Sequence, residues 1–364
     1  MKEQDYIVSD SENVSVLKSE VTELLEKLIS TPSYSREENL TGDLIEQFLI
    51  KKEIDVNRNI NNVWCKNKFF DELKKTILLN SHHDTVKPNS GYTNNPFNPF
   101  TEEGKIFGLG SNDAGGPLMA LLATFIYFYD KENLKYNFIF AATAEEEISG
   151  QNGIACLIND LPKIDFAIVG EPTQMQMAAA EKGLLVLDCK VFGKAGHAAR
   201  NEGENAIVKS MEIINWFSTF KFPKISESLG EIKMSVTVIK AGGQHNVVPA
   251  LCEFTVDVRT TDVYTNEEVV TIIKNHVDCE ITPRSYRLQP SSISKSHPFV
   301  LEGLKLNRTT YGSPTLSDQA LMPWPSLKMG PGDSARSHSA NEFIYINEIE
   351  EAIDIYITIL KKLN

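Results

Sequence analysis

The 364-residue sequence predicts an α/β fold in which a mostly parallel central sheet is covered by helices and interrupted by an inserted ferredoxin-like α+β domain. Three observations lead there. In the first half, nearly continuous apolar runs alternate with stretches of helical periodicity, as strands buried on both faces require. After about residue 180 the runs change to strict apolar/polar alternation, the mark of half-exposed antiparallel strands. Near residue 295 features return that complete the first half.

The elements follow in order. Residues near 15 to 52 carry helical periodicity in VTELLEKLI and LTGDLIEQFLI. KTILLN reads as a core strand, and PLMALLATFIYFY as a buried helix opened by a Gly-Gly pair and Pro117. YNFIFAAT and FAIVG are further core strands. Then come strand GLLVLDCKVFG, helix AIVKSMEIINWFSTF, strands IKMSVTVIKAG and CEFTVDVRTT, helix NEEVVTIIKNHV and strand CEITPRSY. That β-α-β-β-α-β order suggests a small sheet with helices on one face. The domain boundaries expected are 1–180 with 294–364, enclosing 181–293.

Composition narrows the function classes. Apolar residues make up 41%, enough for a proper core, and the net charge of −13 argues against nucleic acid or an anionic membrane as the main partner. The five cysteines are scattered without C-x-x-C pairing, which suits free thiols in a reducing compartment. The opening MKEQDYIVSDSENVSV has no apolar signal region, and no run approaches a membrane span, so a cytoplasmic protein is expected.

The chemistry-bearing residues gather at strand ends, where open α/β sheets bind ligands. His82, His83 and Asp84 follow KTILLN; Asp113 lies in GLGSND; Glu145, Glu146 and Glu147 follow NFIFAAT; Glu171 follows FAIVG; His338 comes late, in GPGDSARSH. Each has an ordinary reading alone: a loop histidine, a helix cap, a solvated acidic run. Together they are hard oxygen ligands mixed with imidazole, a set that suits Zn2+, Co2+ or Mn2+ and can hold two ions.

Those clusters resemble the zinc-dependent aminoacylase and carboxypeptidase family, which includes acetylornithine deacetylase and succinyl-diaminopimelate desuccinylase. SHHDTVKP, NPFNPFTEEGKIFGLGSND, TAEEE, GEPT and GPGDSARSH match its motifs in order, and GKAGH, GGQHNVVP and DVR match its satellite domain. The resemblance implies a di-metal catalytic domain, an inserted dimerisation domain and two Zn2+ (or Co2+) ions. His82 and Glu171 would hold one ion, Glu147 and His338 the other, and Asp113 would bridge them. Asp84 would fix the His82 tautomer. Glu146 would be the general base, taking a proton from the attacking water and passing it to the departing amine. His197, from the other subunit of a homodimer, would stabilise the oxyanion. Arg259, assisted by Asn246, would grip the substrate α-carboxylate, its ordinary reading being an ion pair with Asp257 or Asp262.

Departures from the family pattern are visible. The triplet Glu145-Glu146-Glu147 replaces Asp-Glu-Glu, so a one-residue slip would exchange base and ligand. Ala114 and Gly115 replace Met-Lys, and Leu109 replaces an arginine. The segment 313–338 looks most like the acetylornithine deacetylase branch, implying a small-molecule N-acyl amino acid of the ornithine or citrulline kind in arginine synthesis. Asp318 is then the expected reader of the substrate side chain. Arg336 would meet an acyl carboxylate or, more simply, pair with Asp333. Succinyl-diaminopimelate desuccinylase or di/tripeptidase activity on the same core is the alternative enzyme reading, and a metal-free binding protein the non-enzymatic one.

Overall fold

The computed structural model describes the backbone of residues 3–364 and the side chains of residues 13–364. The chain divides into two compact units, Met1–Ala179 with Ile293–Tyr311 and Ser317–Asn364, and Ala180–Ser292 with Gly312–Leu316.

In the first unit the core is a mixed sheet. Strands Asn62–Lys66, Tyr136–Thr143, Lys75–His82, Phe166–Val169 and Ser326–Lys328 lie side by side in that order. The last four are mutually parallel, and Asn62–Lys66 runs antiparallel at one side. Apart from its first residue, each of the two central strands is buried throughout, which is why their sequences read as unbroken apolar runs. The parallel register sets His82 opposite Thr143 and Asn80 opposite Val169, so the segments following three adjacent strands emerge together.

Helix Gly116–Tyr129 is apolar nearly all round because it is buried nearly all round, with Pro117 in its first turn. It packs against the C-terminal helix Ile346–Leu363, whose buried stripe includes Ile349, Ile353, Tyr356 and Leu360. Each such side chain contributes about 1.5–3 kcal/mol by leaving water. The turn that carries Asp113 into the first of these helices needs a glycine at 115. A Cβ there would lie 2.4 Å from the Gly110 carbonyl oxygen.

The second unit has the antiparallel sheet order Lys233–Ala241, Leu251–Thr260, Gly183–Phe192, Glu280–Pro283. With helices Ala206–Thr219 and Asn266–Lys274 the chain order is β-α-β-β-α-β, the ferredoxin-like order expected from the sequence. Alternate residues of Gly183–Phe192 and Leu251–Thr260 face the core, as their alternating sequences require.

Candidate metal centre

His82 closes its strand and is 1% exposed. Its Nδ1 donates to the Asp84 main-chain carbonyl at 3.0 Å and lies 3.4 Å from Asp84 Oδ1. That fixes the tautomer and leaves Nε2 to the site. Nε2 is 3.3 Å from Asp113 Oδ1, 3.8 Å from Glu146 Oε2 and 3.9 Å from Glu171 Oε1. Burial alone would lower the His82 pKa, but Glu146, Asp113, Asp84 and Glu171 together hold it well above the ordinary imidazole value.

A second group lies beside the first. His338 Nε2 is 3.0 Å from Glu147 Oε2 and 3.6 Å from Asp113 Oδ2. The Glu147 carboxylate, against partial burial, pushes the His338 pKa up to about 9. His338 adopts φ 56°, a left-handed conformation uncommon outside glycine and concentrated at functional positions. The atoms of His82, Asp113 and Glu171, and those of Asp113, Glu147 and His338, lie within 4.8 Å of one another in each trio. Asp113 belongs to both, turning one oxygen to each histidine.

Such a donor set fits divalent cations. Carboxylates do not crowd in a buried space unless opposite charge neutralises them. Burial pushes Glu147 up, and burial with the Glu171, Asp318 and Glu147 charges pushes Glu146 well up against the pull of His82. Cations accepted by imidazole and carboxylate oxygens would relieve that repulsion.

The glutamate triplet separates by geometry. Glu145 takes a left-handed φ of 54°, and its carboxylate turns away to accept from Asn152 N at 3.2 Å and Asn152 Nδ2 at 2.8 Å. Glu146 then faces His82 and Glu147 faces His338. Asp84 secures this arrangement. Its Oδ1 accepts from Glu146 N at 3.0 Å, and its Oδ2 from Glu147 N at 3.2 Å and Ser35 Oγ at 2.6 Å. Asp84 therefore orients the acidic turn as well as the histidine, a task its spacing from His82 did not reveal.

Other residues fall elsewhere than expected. Asp318 is 3% exposed, with Oδ2 accepting from Thr143 Oγ1 at 2.6 Å and Asn80 Nδ2 at 2.8 Å; burial pushes its pKa up to about 6. A carboxylate enclosed in this way supports the strand ends and does not suit a reader of substrate side chains. Arg336 is not paired with Asp333, as the simpler expectation had it, but forks onto Glu348 at 2.7 and 3.0 Å, stacked over Phe343 and Tyr345. His83, by contrast, is a neighbour and not a ligand of either group, as expected of its slot between His82 and Asp84: its Nδ1 meets Thr41 Oγ1 at 2.9 Å and its Nε2 the Asn61 carbonyl at 3.0 Å.

Two acids escaped the sequence reading. Glu342 is 2% exposed and accepts from the backbone N–H groups of Gly110, Asn112 and Asp113 at 3.2, 2.8 and 2.9 Å. Burial and the Asp113 charge push its pKa up to about 8. Glu38, also buried, accepts from Arg36 N, Glu145 N and Asn61 Nδ2. The available signal was an acid just before the apolar run FIYI and four residues past His338.

His197, Asn246 and Arg259 lie in the second unit. His197 sits on the short strand Gly196–His197, paired with Val247–Val248. Its Nδ1 accepts from Ala199 N at 3.1 Å, and the Asn246 carbonyl accepts from Ala198 N at 3.0 Å. The Arg259 fork is engaged by Asp257 at 2.9 and 3.1 Å. Among the described residues no helix is long and apolar enough to cross a membrane, and all five cysteines are free thiols.

A family model described as peptidase family M20/M25/M40 matches residues 78–362. The LysW-lysine/LysW-ornithine hydrolase of Sulfurisphaera tokodaii is 29% identical over 358 residues, spanning 95% of this chain and 96% of that protein. The acetylornithine deacetylase of Proteus mirabilis is 29% identical over 296 residues, 75% of this chain and 76% of its own. A dinuclear metal binding peptidase of Bacillus subtilis superposes with a TM-score of 0.71 at 15% identity, covering 95% of this chain and 98% of its own.

Proposed function

Because the chain belongs to peptidase family M20/M25/M40 and is a hydrolase of that family, we propose that it cleaves the amide bond of an N-acyl amino acid. The substrate in this reading is N2-acetylornithine or an N-acylcitrulline, and the product is the free amino acid for arginine synthesis. The observation that carries it is the position of Glu146. A mostly buried carboxylate with raised proton affinity faces His82, beside two ligand trios that share Asp113.

His82, Glu171 and Asp113 would hold one divalent ion, Zn2+ or Co2+, and Glu147, His338 and Asp113 a second. Bound there, the pair would polarise the amide carbonyl and ease ionisation of the attacking water. Glu146 accepts the water proton and delivers it to the departing amine, a shuttle for which a carboxylate of raised pKa is suited. Asp84 keeps Glu146 and Glu147 aimed through their backbone N–H groups. His197 of a partner subunit donates to the oxyanion. The Arg259 fork, with Asn246, receives the α-carboxylate.

A homodimer formed through the second unit is supported by its uncovered apolar surface. Strand Lys233–Ala241 is at the sheet edge with Val238 and Ile239 exposed. Helix Ala206–Thr219 packs against that strand and exposes Ile207, Val208 and Met211. The choice of ornithine draws on two relatives whose names carry ornithine. A succinylated or peptide substrate is the second reading, drawn from a relative in Orientia tsutsugamushi named succinyl-diaminopimelate desuccinylase, 25% identical, and from the peptidase family match.

The test is amine release from N2-acetylornithine, N-acetylcitrulline, N-succinylcitrulline, N-succinyl-diaminopimelate and a dipeptide. It is run with Zn2+ or Co2+, with chelator, and with Glu146→Ala. Turnover of one acylated amino acid, abolished by chelator and by the substitution, is the expected result. Turnover of the dipeptide alone would move the reading to a peptidase. A chain that binds two metal ions and turns over none of the five would overturn the substrate class.

A further inference from the structure

Both ligand trios draw on the Gly108–Asp113 loop, which carries Asp113, and one of them also draws on the sequence-distant His338–Glu342 loop, which carries His338. Asn112 ties the first loop to Asp333 and Ser337, just before His338, and Glu342 joins the two loops directly. Strand Phe343–Tyr345 pairs antiparallel with Lys105–Phe107, Phe343 opposite Phe107, which lays Glu342 directly along the segment that follows. The Glu342 main-chain carbonyl accepts from Gly108 N at 2.9 Å. Its side chain accepts from Gly110, Asn112 and Asp113 N, so one residue satisfies four backbone donors of the loop that presents Asp113.

We propose that Glu342 is the positioning residue of the His338-side metal ion, clamping the Asp113 loop to the His338 loop. The inference rests on the di-metal reading above. The argument for one ion over the other is topological. His82 and Glu171 sit at the ends of adjacent core strands, whose register holds them independently of Glu342. Asp113 and His338, in contrast, both sit on the clamped loops, with His338 Nε2 3.6 Å from Asp113 Oδ2. Loosening the clamp changes that spacing first. Three N–H donors around one carboxylate also form an anion-binding concavity that a neutral side chain cannot fill equally well. Glu342 touches neither metal nor substrate in this role; it acts through Asp113 and His338.

The experiment is a calorimetric titration of Co2+ into metal-free wild-type protein and Glu342→Gln, with the visible absorption of bound Co2+ followed in parallel. Wild-type protein taking up no Co2+ would defeat the di-metal reading itself, and this inference with it. With two ions bound to the wild type, the expected result for the variant is an asymmetric loss. One binding step falls by about 10–100-fold, the range for residues that orient ligands, and the other changes far less. The spectrum of the ion whose step is weakened is altered to match. Two unchanged steps, or two steps weakened equally, would overturn the clamp. Should Glu342→Gln not fold, Glu342→Asp is read in the same way: it keeps the charge but withdraws it by one methylene.

Discussion

Replacing Asp84 by asparagine would show whether the charge of this residue, and not its size, builds the centre. Both carboxylate oxygens are occupied. Oδ1 accepts from Glu146 N at 3.0 Å and lies 3.4 Å from His82 Nδ1; Oδ2 accepts from Ser35 Oγ at 2.6 Å and Glu147 N at 3.2 Å. Asp84 is held below the usual carboxylate range: burial pushes it up, but the bonds and charge of His82 and the Ser35 hydroxyl outweigh burial. Asparagine keeps the shape and converts one acceptor into a donor. With its NH2 on the Oδ1 side it would confront both Glu146 N–H and His82. With its NH2 on the Oδ2 side, the Ser35 hydroxyl can rotate to accept, and only the Glu147 N–H is opposed. The second arrangement is the cheaper. It leaves one buried backbone N–H without an acceptor and weakens the remaining bonds, for a total of about 3 kcal/mol. His82 keeps its bond to the Asp84 main-chain carbonyl, so the damage falls on Glu147. The expected outcome is a loss of about 3 kcal/mol in urea unfolding of the metal-free protein, with metal affinity about 10–100-fold weaker. A variant within about 0.5 kcal/mol of wild type, the range of an ordinary surface substitution, and with unchanged metal binding would refute the reasoning.

Acid should destabilise the fold through His83, which is 6% exposed and whose pKa burial lowers to about 4. The unfolded chain takes up this proton near pH 6.5 and the folded chain does so only near 4, so the contribution is complete above 6.5 and is lost as pH falls toward 4. The loss amounts to about 3 kcal/mol. Unfolding free energies of wild type and His83→Asn measured across that window should converge as pH falls, and parallel curves would exclude the mechanism. Ile239→Lys on the exposed edge strand should yield monomers in sedimentation that retain both metal ions and lose turnover; active monomers would remove His197 from the oxyanion role. Arg259→Ala should raise KM. Asp257→Asn, by removing a part-exposed competitor for the same fork, should lower KM by up to about fivefold, and equal KM values in all three proteins would take Arg259 out of substrate binding.

Much of the scaffold was legible because it follows from periodicity. Strands buried on both faces must be apolar throughout, and KTILLN and YNFIFAAT are; an antiparallel satellite with one wet face must alternate, and GLLVLDCKVFG does. The residues at strand ends were legible because His82, Asp113, Glu171 and His338 are chemically distinctive where they stand. What stayed hidden has no period and no local partner. Three consecutive glutamates are identical as letters, and only the left-handed turn at Glu145 sorts them. Arg336 had Asp333 three residues away in sequence, yet its partner is Glu348, on the C-terminal helix that the turn brings alongside. Asp318 read as a reader of the substrate side chain because nothing in LSDQ announces that Thr143 and Asn80 enclose it.

The hidden acids share one property. Glu38 and Glu342, like Asp84 whose role was expected, are buried carboxylates whose principal partners include backbone N–H groups of the loops at the strand ends. A sharp loop at a strand end leaves such donors without ladder partners, and a buried donor without an acceptor costs about 1–3 kcal/mol. A carboxylate offers about four lone-pair sites, against two for a carbonyl or hydroxyl, and so serves several donors at once. The cost is negative charge accumulated around a site already carrying Asp113, Glu146, Glu147 and Glu171, which adds to burial in raising the proton affinity of Glu342 and Glu146. Divalent cations at the two trios would offset that charge. Ion binding and loop order then support each other: the carboxylates behind the loops hold the ligands at binding distance, and the ions make those carboxylates tolerable in the interior. A protein built this way would draw part of its stability from the ions themselves. The same acids that give the loops their shape would also favour doubly charged partners at the site.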